Sequence, residues 1–544
     1  MVDIKRFILG HKEWVVILSC VFIFLLLLYK DPFSERSLIP NFEPYPDTFY
    51  YTVPPLNLVK GEGFYLSREG RVLRNSIPPL YSLVILPFIL INPDPRMVYY
   101  ANVFLALISF ILFLLILKKI TENVWIIGVA LFLYVTNYFL FWMPTLAMAE
   151  NLLLPLYLAA ILLLLRPVSL LNFGLLGVIS LCIFATKAAN IPVLVAILLL
   201  SSLKIFFLDK TKIWKLKAFL CLSIAFSSFF LLYAEYLYLT NNFNIISALS
   251  GYFDLLTGKT SSYDVKSHRP IGWASFGYIQ INFPLYLSSI LGNKTKFLWD
   301  VTPIVPKYIA IASIIGVFAG LIKKKYRNLS IILIIMVGTS IMFMSTFDSF
   351  DARYIYIAIP SLLLGFSILI LVLFDFFSKK WTIILLLFFA FYISSNMIRL
   401  KSQISLNFKY SETPWAYISV LKLNEYFTKE KIINGKRPVV ISALPPYLID
   451  FYSNGNYTLL PLSYEQEFRS LKDIVWGPND YSNLPILYAK YLHDGYDLYV
   501  SKYGLGSESY TNRDFNTILK EFDAEVVLSG CYKQCDIYKI TLKK

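Results

Sequence analysis

Residues 97–119 read MVYYANVFLALISFILFLLILKK, an apolar run of about twenty residues closed by two lysines. A stretch this long and this poor in charge crosses a bilayer as a single α-helix. Similar runs recur along the chain, so the fold class is mainly α: a polytopic, multi-pass membrane protein. The composition agrees, at 57% hydrophobic and 16% charged over 544 residues. A soluble domain is nearer 45–50% apolar and about 25% charged.

Lys118 and Lys119 also give direction. The net charge of +15 sits largely in short loops between runs, the pattern of cytoplasmic loops. With a basic, cytoplasmic N-terminus, eleven spans follow: about 14–29, 97–117, 124–142, 151–165, 169–186, 190–207, 217–239, 307–322, 329–346, 354–377 and 381–397. Residues 78–92 are apolar but short and carry Pro87, so they read as a juxtamembrane or re-entrant helix. Outer loops fall at 30–77 and 240–305, the second with an amphipathic stretch near 278–291. Residues 400–544 have no apolar run long enough to span. Short β-like runs (439–441, 498–500, 526–528) alternate there with helical ones (462–475, 512–522), as in a small α/β domain. The expected domains are thus a membrane domain, 1–399, and an extracytoplasmic α/β domain, 400–544.

The first run lacks a small-residue cleavage site and reads as a retained span. Cys20, Cys182 and Cys221 lie in apolar runs and read as packing residues. Cys531 and Cys535 have the spacing of a bridged hairpin if that region is extracytoplasmic. With three histidines in the chain, no Cys/His spacing suggests a zinc site, and no metal or cofactor is expected. No interleaved basic and aromatic module points to nucleic acid.

The basic loops fix a topology without reference to the acidic residues. That topology nevertheless brings Asp47, Glu150, Lys187, Asp351 and Arg353 to the outer side, at or near helix ends. Ionisable groups at a bilayer interface are costly unless paired, wet or functional. A carboxylate there can take a proton from an acceptor hydroxyl. Arg and Lys can hold a phosphate leaving group. Each residue also has a plainer reading. Asp47 suits a turn. Glu150 suits a helix N-terminus, Lys187 snorkels from a helix end, and Asp351 with Arg353 makes a local surface pair.

Several segments together resemble the GT-C fold of polyprenyl-phosphate-dependent glycosyltransferases, the group of the protein O-mannosyltransferases and the lipid A aminoarabinose transferases. They are Pro46-Asp47-Thr48-Phe49-Tyr50-Tyr51, Pro78-Pro79-Leu80-Tyr81, Ala149-Glu150-Asn151-Leu152, Ala185-Thr186-Lys187-Ala188 and Asp351-Ala352-Arg353-Tyr354. Each is short, but their order and spacing cover nearly all of residues 1–400.

The resemblance implies an inverting sugar transfer from a polyprenyl-phosphate donor to a protein, glycan or lipid acceptor outside the cell membrane. It makes Asp47 the general base and Glu150 an acceptor-positioning or assisting acid. Lys187 and Arg353, beside Asp351, hold the donor phosphate. Tyr51 and its aromatic neighbours stack on sugar, line a lipid groove, or anchor the interface. Two departures stand out. Ile77 replaces the basic residue common before the proline-rich segment, leaving that contact to Arg71 or Arg74 or to none. Pro54-Pro55 is expected to interrupt the helix after Asp47.

A transporter or flippase of lipid-linked sugars is the competing function. It calls for ionisable residues at the bilayer midplane and broken, repeated helices, and neither is evident. A non-catalytic sensor using the α/β domain as a binding module is a third reading. A pyrophosphate-donor oligosaccharyltransferase lacks support, because no Trp-Trp-Asp-Tyr-Gly type segment occurs.

Overall fold

The structure is a computed structural model. It describes residues 12–33, 47–61, 63–64, 66–68, 71–73, 78–187, 190–207, 209–241, 274–297, 300–347, 350–376, 420, 423–427, 436–443, 456–463, 483–502, 509–529 and 536–543. The chain divides into two compact units. One comprises Met1–Asp31, Ser76–Asn92 and Arg96–Tyr410; the other comprises Pro32–Asn75, Pro93–Pro95 and Ser411–Lys544.

The first unit is helical. Its elements are α1 (Lys12–Leu28), then, after α2 (Asp47–Val59) and the hairpin β1 (Leu66–Arg68) and β2 (Arg71–Leu73) of the other unit, α3 (Leu80–Ile91) and α4 (Val98–Ile120). There follow α5 (Val124–Val135), α6 (Tyr138–Trp142), α7 (Glu150–Leu165), α8 (Leu170–Thr186), α9 (Ile191–Phe206) and α10 (Lys212–Asn241). The last are α11 (Ile279–Ile290), the hairpin β3 (Thr295–Phe297) and β4 (Asp300–Thr302), α12 (Lys307–Ile322), α13 (Lys324–Met344) and α14 (Ala358–Phe376).

Among the described residues three helices are long and apolar enough to cross a membrane: Pro95–Ile120, Lys324–Met344 and Ala358–Asp375. The count becomes four if α5 and the bent segment after it form one span. Eleven spans are therefore not reached by this measure. Four expected spans form α7, α8, α9 and α12, apolar helices of 16 or 17 residues, at the short end of what a bilayer requires. The expected span 381–397 lies outside the described residues. The 78–92 segment forms the short helix α3, which continues through Pro87.

The expected third span is not straight. Val124–Val135 and Tyr138–Thr145 meet at 59°. Asn137 builds the break. Its Oδ1 accepts from the Phe139 and Leu140 amides, at 3.1 and 3.4 Å, and its Nδ2 donates to the Ile304 carbonyl at 2.9 Å. A helix that starts inside an apolar environment leaves unpaired amides, and a capping side chain satisfies them.

The core is apolar and aromatic. Phe113 and Tyr134 stack with ring centroids 4.6 Å apart, and Phe24 packs against both Phe110 and Tyr134. Of the three long apolar helices Ala358–Asp375 is the most enclosed. It crosses α12 at small residues. A β-carbon on Gly365 would lie 2.7 Å from the Ser313 carbonyl oxygen, and one on Gly316 would collide with the Gly365 carbonyl oxygen. Such close approach of backbones is how helices associate where lipid removes the usual hydrophobic gain. Cys20 is buried, and Cys182 and Cys221 are half-buried free thiols. Cys531 and Cys535 lie outside the described residues.

The second unit holds α2, the β1–β2 hairpin and a five-stranded mixed sheet. Its strands are β5 (Val439–Ser442), β6 (Thr458–Pro461), β7 (Leu498–Ser501), β8 (Phe522–Leu528) and β9 (Ile537–Leu542), in the order β6-β5-β7-β9-β8. β5 runs parallel to β6 and β7, and β9 runs antiparallel to β7 and β8. The central strands are buried along their length, as parallel strands covered on both faces are. α15 (Leu484–His493) starts with Asn483 accepting from the Ile486 amide and is followed by Gly495 at φ 78°. Its buried Tyr488 donates to the Pro461 carbonyl at the end of β6. α16 (Ser509–Glu521) runs directly into β8. The three expected strands are present. α15, β6 and β9 were not expected, and most of the helical run 462–475 lies outside the described residues.

One expectation is overturned. Pro54 and Pro55 do not interrupt the helix after Asp47; they lie inside α2. Proline fixes φ near a helical value, so the cost is two missing amide donors and local crowding. Helical bonding resumes at once, with the Lys60 amide donating to the Leu56 carbonyl at 3.1 Å.

Candidate functional site

Glu150 is the first residue of α7 and is buried. A short connection joins α7 to α8, so the two helices run antiparallel and the start of one lies beside the end of the other. Lys187 caps the end of α8. Its Nζ stands 3.2 Å from Glu150 Oε1. Both charges suit their helix ends, the acid at the partly positive N-terminus and the base at the partly negative C-terminus. Among the described residues Glu150 Oε2 has no hydrogen-bond partner. A buried carboxylate oxygen left without a donor requires an explanation, and a ligand is one.

The loop before Glu150 is held by amides. Asn102, on α4, donates to the Pro144 and Leu146 carbonyls at 3.1 and 2.8 Å while accepting from Tyr81 Oη at 2.6 Å. Asn151 Nδ2 lies 2.9 Å from the Leu146 carbonyl and 3.0 Å from that of Met148. These bonds satisfy carbonyls that the irregular backbone leaves without helical partners. They also fix where Glu150 points. Tyr81 and Asn151 belong to segments quoted above, but the sequence did not single them out. Asn102 was missed altogether, since one amide inside an apolar run carries no periodic signal.

Arg353 sits in the 3-10 turn Ala352–Ile355 that precedes α14. Asp351 shapes that turn. Its Oδ1 accepts from the Arg353 amide at 2.9 Å and its Oδ2 lies 3.5 Å from Arg353 Nε. The guanidinium lies over the Tyr354 ring, 4.9 Å from its centroid, and Nη2 is 3.0 Å from Tyr354 Oη. Nη1 points at Met148 Sδ, 3.9 Å away. Lys187 Nζ is 5.8 Å from the same Tyr354 ring. Tyr354 therefore joins the Arg353 group to the Glu150–Lys187 pair, and it was not among the expected site residues. A cation over an aromatic face is held by the ring's electron density.

The cluster thus contains Glu150, Lys187, Asp351, Arg353 and Tyr354. The two cations are each about one-sixth exposed, at 15% and 16%, whereas Glu150 is 4% exposed. The acid is enclosed and the cations reach toward the surface. Both plain readings hold at the same time: Asp351 and Arg353 do form a local pair, and Glu150 does sit at a helix N-terminus.

Next to this cluster, buried Tyr286 of α11 lies 3.4 Å from the Asp351 carbonyl oxygen. Burial pushes its phenol well above the ordinary tyrosine range, so it is a hydrogen-bond donor at neutral pH.

Asp47 opens α2 in the second unit. Tyr51 is one turn on and is buried. Arg74 lies outside the described residues. Among the described residues no three His, Cys, Asp or Glu side chains gather as a ligand set.

No family description matches the chain, and no curated protein does. The fold is similar to solved structures. One is ArnT from Cupriavidus metallidurans bound to undecaprenyl phosphate, at 12% identity and TM-score 0.59 over 97% of each chain. The same protein in the apo state matches over 98% of each chain at TM-score 0.59. The archaeal oligosaccharyltransferase AglB from Archaeoglobus fulgidus, in complex with an inhibitory peptide and a dolichol-phosphate, matches at 9% identity and TM-score 0.52, over 99% of this chain and 75% of that one. The sequence resemblance to the GT-C fold is therefore met by a structural likeness that runs the length of the chain.

Proposed function

We propose that the chain is an integral-membrane, inverting glycosyltransferase that uses a polyprenyl-phosphate-linked sugar. The observation that carries this reading is the pairing of Lys187 and Arg353 around Tyr354, two partly exposed cations beside an enclosed acid. It is supported by a fold shared with proteins solved on lipid phosphates.

In this reading Asp47 takes the proton from an acceptor hydroxyl. The acceptor oxygen attacks the anomeric carbon from the face opposite the phosphate, and the bond from that carbon to the phosphate oxygen breaks. The polyprenyl phosphate leaves with one more negative charge, which Lys187 and Arg353 stabilise. Asp351 holds Arg353 in place, and Glu150 holds Lys187 and positions the acceptor. Tyr51 stacks on the sugar or lines the lipid groove, and Arg74 is a further candidate for the phosphate. The membrane domain is 1–399 and the α/β domain 400–544, with the site and that domain on the outer face. The acceptor is a protein, glycan or lipid.

The test is Asp47→Asn in isolated membranes supplied with a radiolabelled polyprenyl-phosphate sugar. Loss of label transfer is expected. Unchanged transfer removes Asp47 as the base. Movement of intact lipid-linked sugar across the bilayer, without a new glycosidic bond, makes the chain a transporter instead.

A further inference from the structure

Helix α11 is amphipathic in the reverse sense. From Ile281 to Ser289 its polar and hydroxyl-bearing residues Asn282, Tyr286 and Ser289 are buried, while Ile281, Leu285 and Leu287 are exposed; the ends, exposed Gln280 and buried Ile290, depart from this. A helix on a water-exposed surface does the opposite. Apolar side chains outward and polar ones inward suit a helix that meets lipid on one side and protein backbone on the other.

The inward face holds one particular segment. Asn282 Nδ2 donates to the Phe347 carbonyl. Just before the helix, Ala274 bridges Phe347 in antiparallel fashion, and the Ser275 amide donates to the Thr346 carbonyl at 2.7 Å. Further along, the Tyr286 ring packs on Phe350 with centroids 4.7 Å apart, and its hydroxyl donates to the Asp351 carbonyl. The segment leading to Arg353 is thus grasped at 346–347 and again at 350–351. At the far end of α11, Ser289 Oγ bonds Thr295 Oγ1 at 2.7 Å, tying the helix to the β3–β4 hairpin.

We propose that α11 is a lipid-facing strut, and that Asn282 and Tyr286 are positioning residues that set Asp351 and Arg353 for the donor phosphate. The role of Arg353 rests on the function proposed above; the bracing of its segment does not. A phosphate-binding arginine on a 3-10 turn has little helix of its own to hold it. Preorganisation must come from neighbours, and misplacement by about 1 Å costs as much as about a hundredfold in rate. The Tyr286 hydroxyl acts on the backbone at Asp351, whose side chain in turn holds Arg353.

The test uses the full chain in lipid nanodiscs, with Tyr286→Phe, Asn282→Ala and Arg353→Ala, and Tyr286→Phe combined with Arg353→Ala. Tyr286→Phe keeps the ring on Phe350 and removes one hydroxyl, so the fold survives. Two readouts are taken: amide hydrogen exchange over 350–356, and binding of undecaprenyl phosphate. Exchange in that segment is expected to quicken about fivefold in Tyr286→Phe and more in Asn282→Ala, the scale of losing one net hydrogen bond. Binding is expected to weaken about fivefold in Tyr286→Phe. In the double variant it should be no weaker than in Arg353→Ala alone, because the tyrosine acts through the arginine. Unchanged exchange in both single variants overturns the strut, whatever binding does. Additive losses in the double variant overturn positioning through Arg353. Quickened exchange with binding untouched by Arg353→Ala keeps the strut and sinks the phosphate reading.

Discussion

Glu150 and Lys187 are 37 residues apart in the chain, and their charged atoms are 3.2 Å apart. The antiparallel turn from α7 to α8 brings the two helix ends together. Each residue therefore has a reason of local physics to be where it is, and the pair has a further consequence. Removing one partner of an enclosed pair leaves the other charge uncompensated, whereas removing both costs little. Glu150→Gln should lower unfolding stability by about 2 kcal/mol, and Glu150→Gln with Lys187→Met should restore most of it. Sugar transfer should fall in both. Thermal unfolding in detergent, set beside initial transfer rates, separates the two effects. A double variant that recovers transfer along with stability shows that the pair serves packing alone.

Asp47→Asn keeps the size of the side chain and removes its basicity. A general base contributes roughly a hundredfold or more, so transfer should fall by at least that factor with donor affinity held within about twofold. Titrating the donor at fixed acceptor measures both. A rise in donor KM with kcat preserved would instead make Asp47 a binding residue.

Arg353→Lys keeps the charge and loses the planar fork that reaches Tyr354 and Met148. Arginine and lysine are not equivalent at a stacked site, so donor KM should rise by about tenfold with little loss of fold. Tyr354→Phe keeps the ring under the guanidinium and loses only the hydroxyl contact, and its KM should move less. An equal effect from the two variants would place the hydroxyl, not the fork, at the phosphate.

The crossing of α12 and α14 has no room for a side chain at Gly316 or Gly365. Either Gly→Ala change must push the backbones apart, at about 1–3 kcal/mol. Unfolding should come at lower temperature in both variants, and specific activity per folded molecule should fall little. Gly174 meets nothing within 4 Å, so Gly174→Ala is the control.

Much of the helical layout was legible because apolar length and flanking lysines are strong, redundant signals. In the sequence, helix ends put Glu150 and Lys187 on one side of the membrane; that they touch is a finding of the structure, where the short α7–α8 connection makes the two ends neighbours. The details that build the site were harder to read. Asn102 and Tyr81 are isolated polar groups in apolar runs, where periodicity says nothing about partners. Tyr354 stood in a quoted motif, but its place between two cations depends on packing from three separate helices. Pro54 and Pro55 were read by their usual effect, whereas here the helix runs through both. In the α/β unit, β6 ends on Pro461 and α15 opens with Leu484-Pro485, and proline interrupts the strand and helix patterns that mark such elements in a sequence. The number of spans was read from apolarity, while α7, α8, α9 and α12 are shorter than that reading assumed.

The bend at Asn137 bears on how this chain tolerates change. Sequence variants that raise hydropathy are the usual choice when a membrane protein expresses poorly, and Asn137 is an obvious target within its apolar surroundings. Yet this buried side chain satisfies two amides and one carbonyl. Asn137→Leu would make the segment more lipophilic and leave two buried amides and one buried carbonyl without their partner. The most polar position of that segment is therefore the one least open to greasing, and hydropathy profiles rank its substitutions in the wrong order.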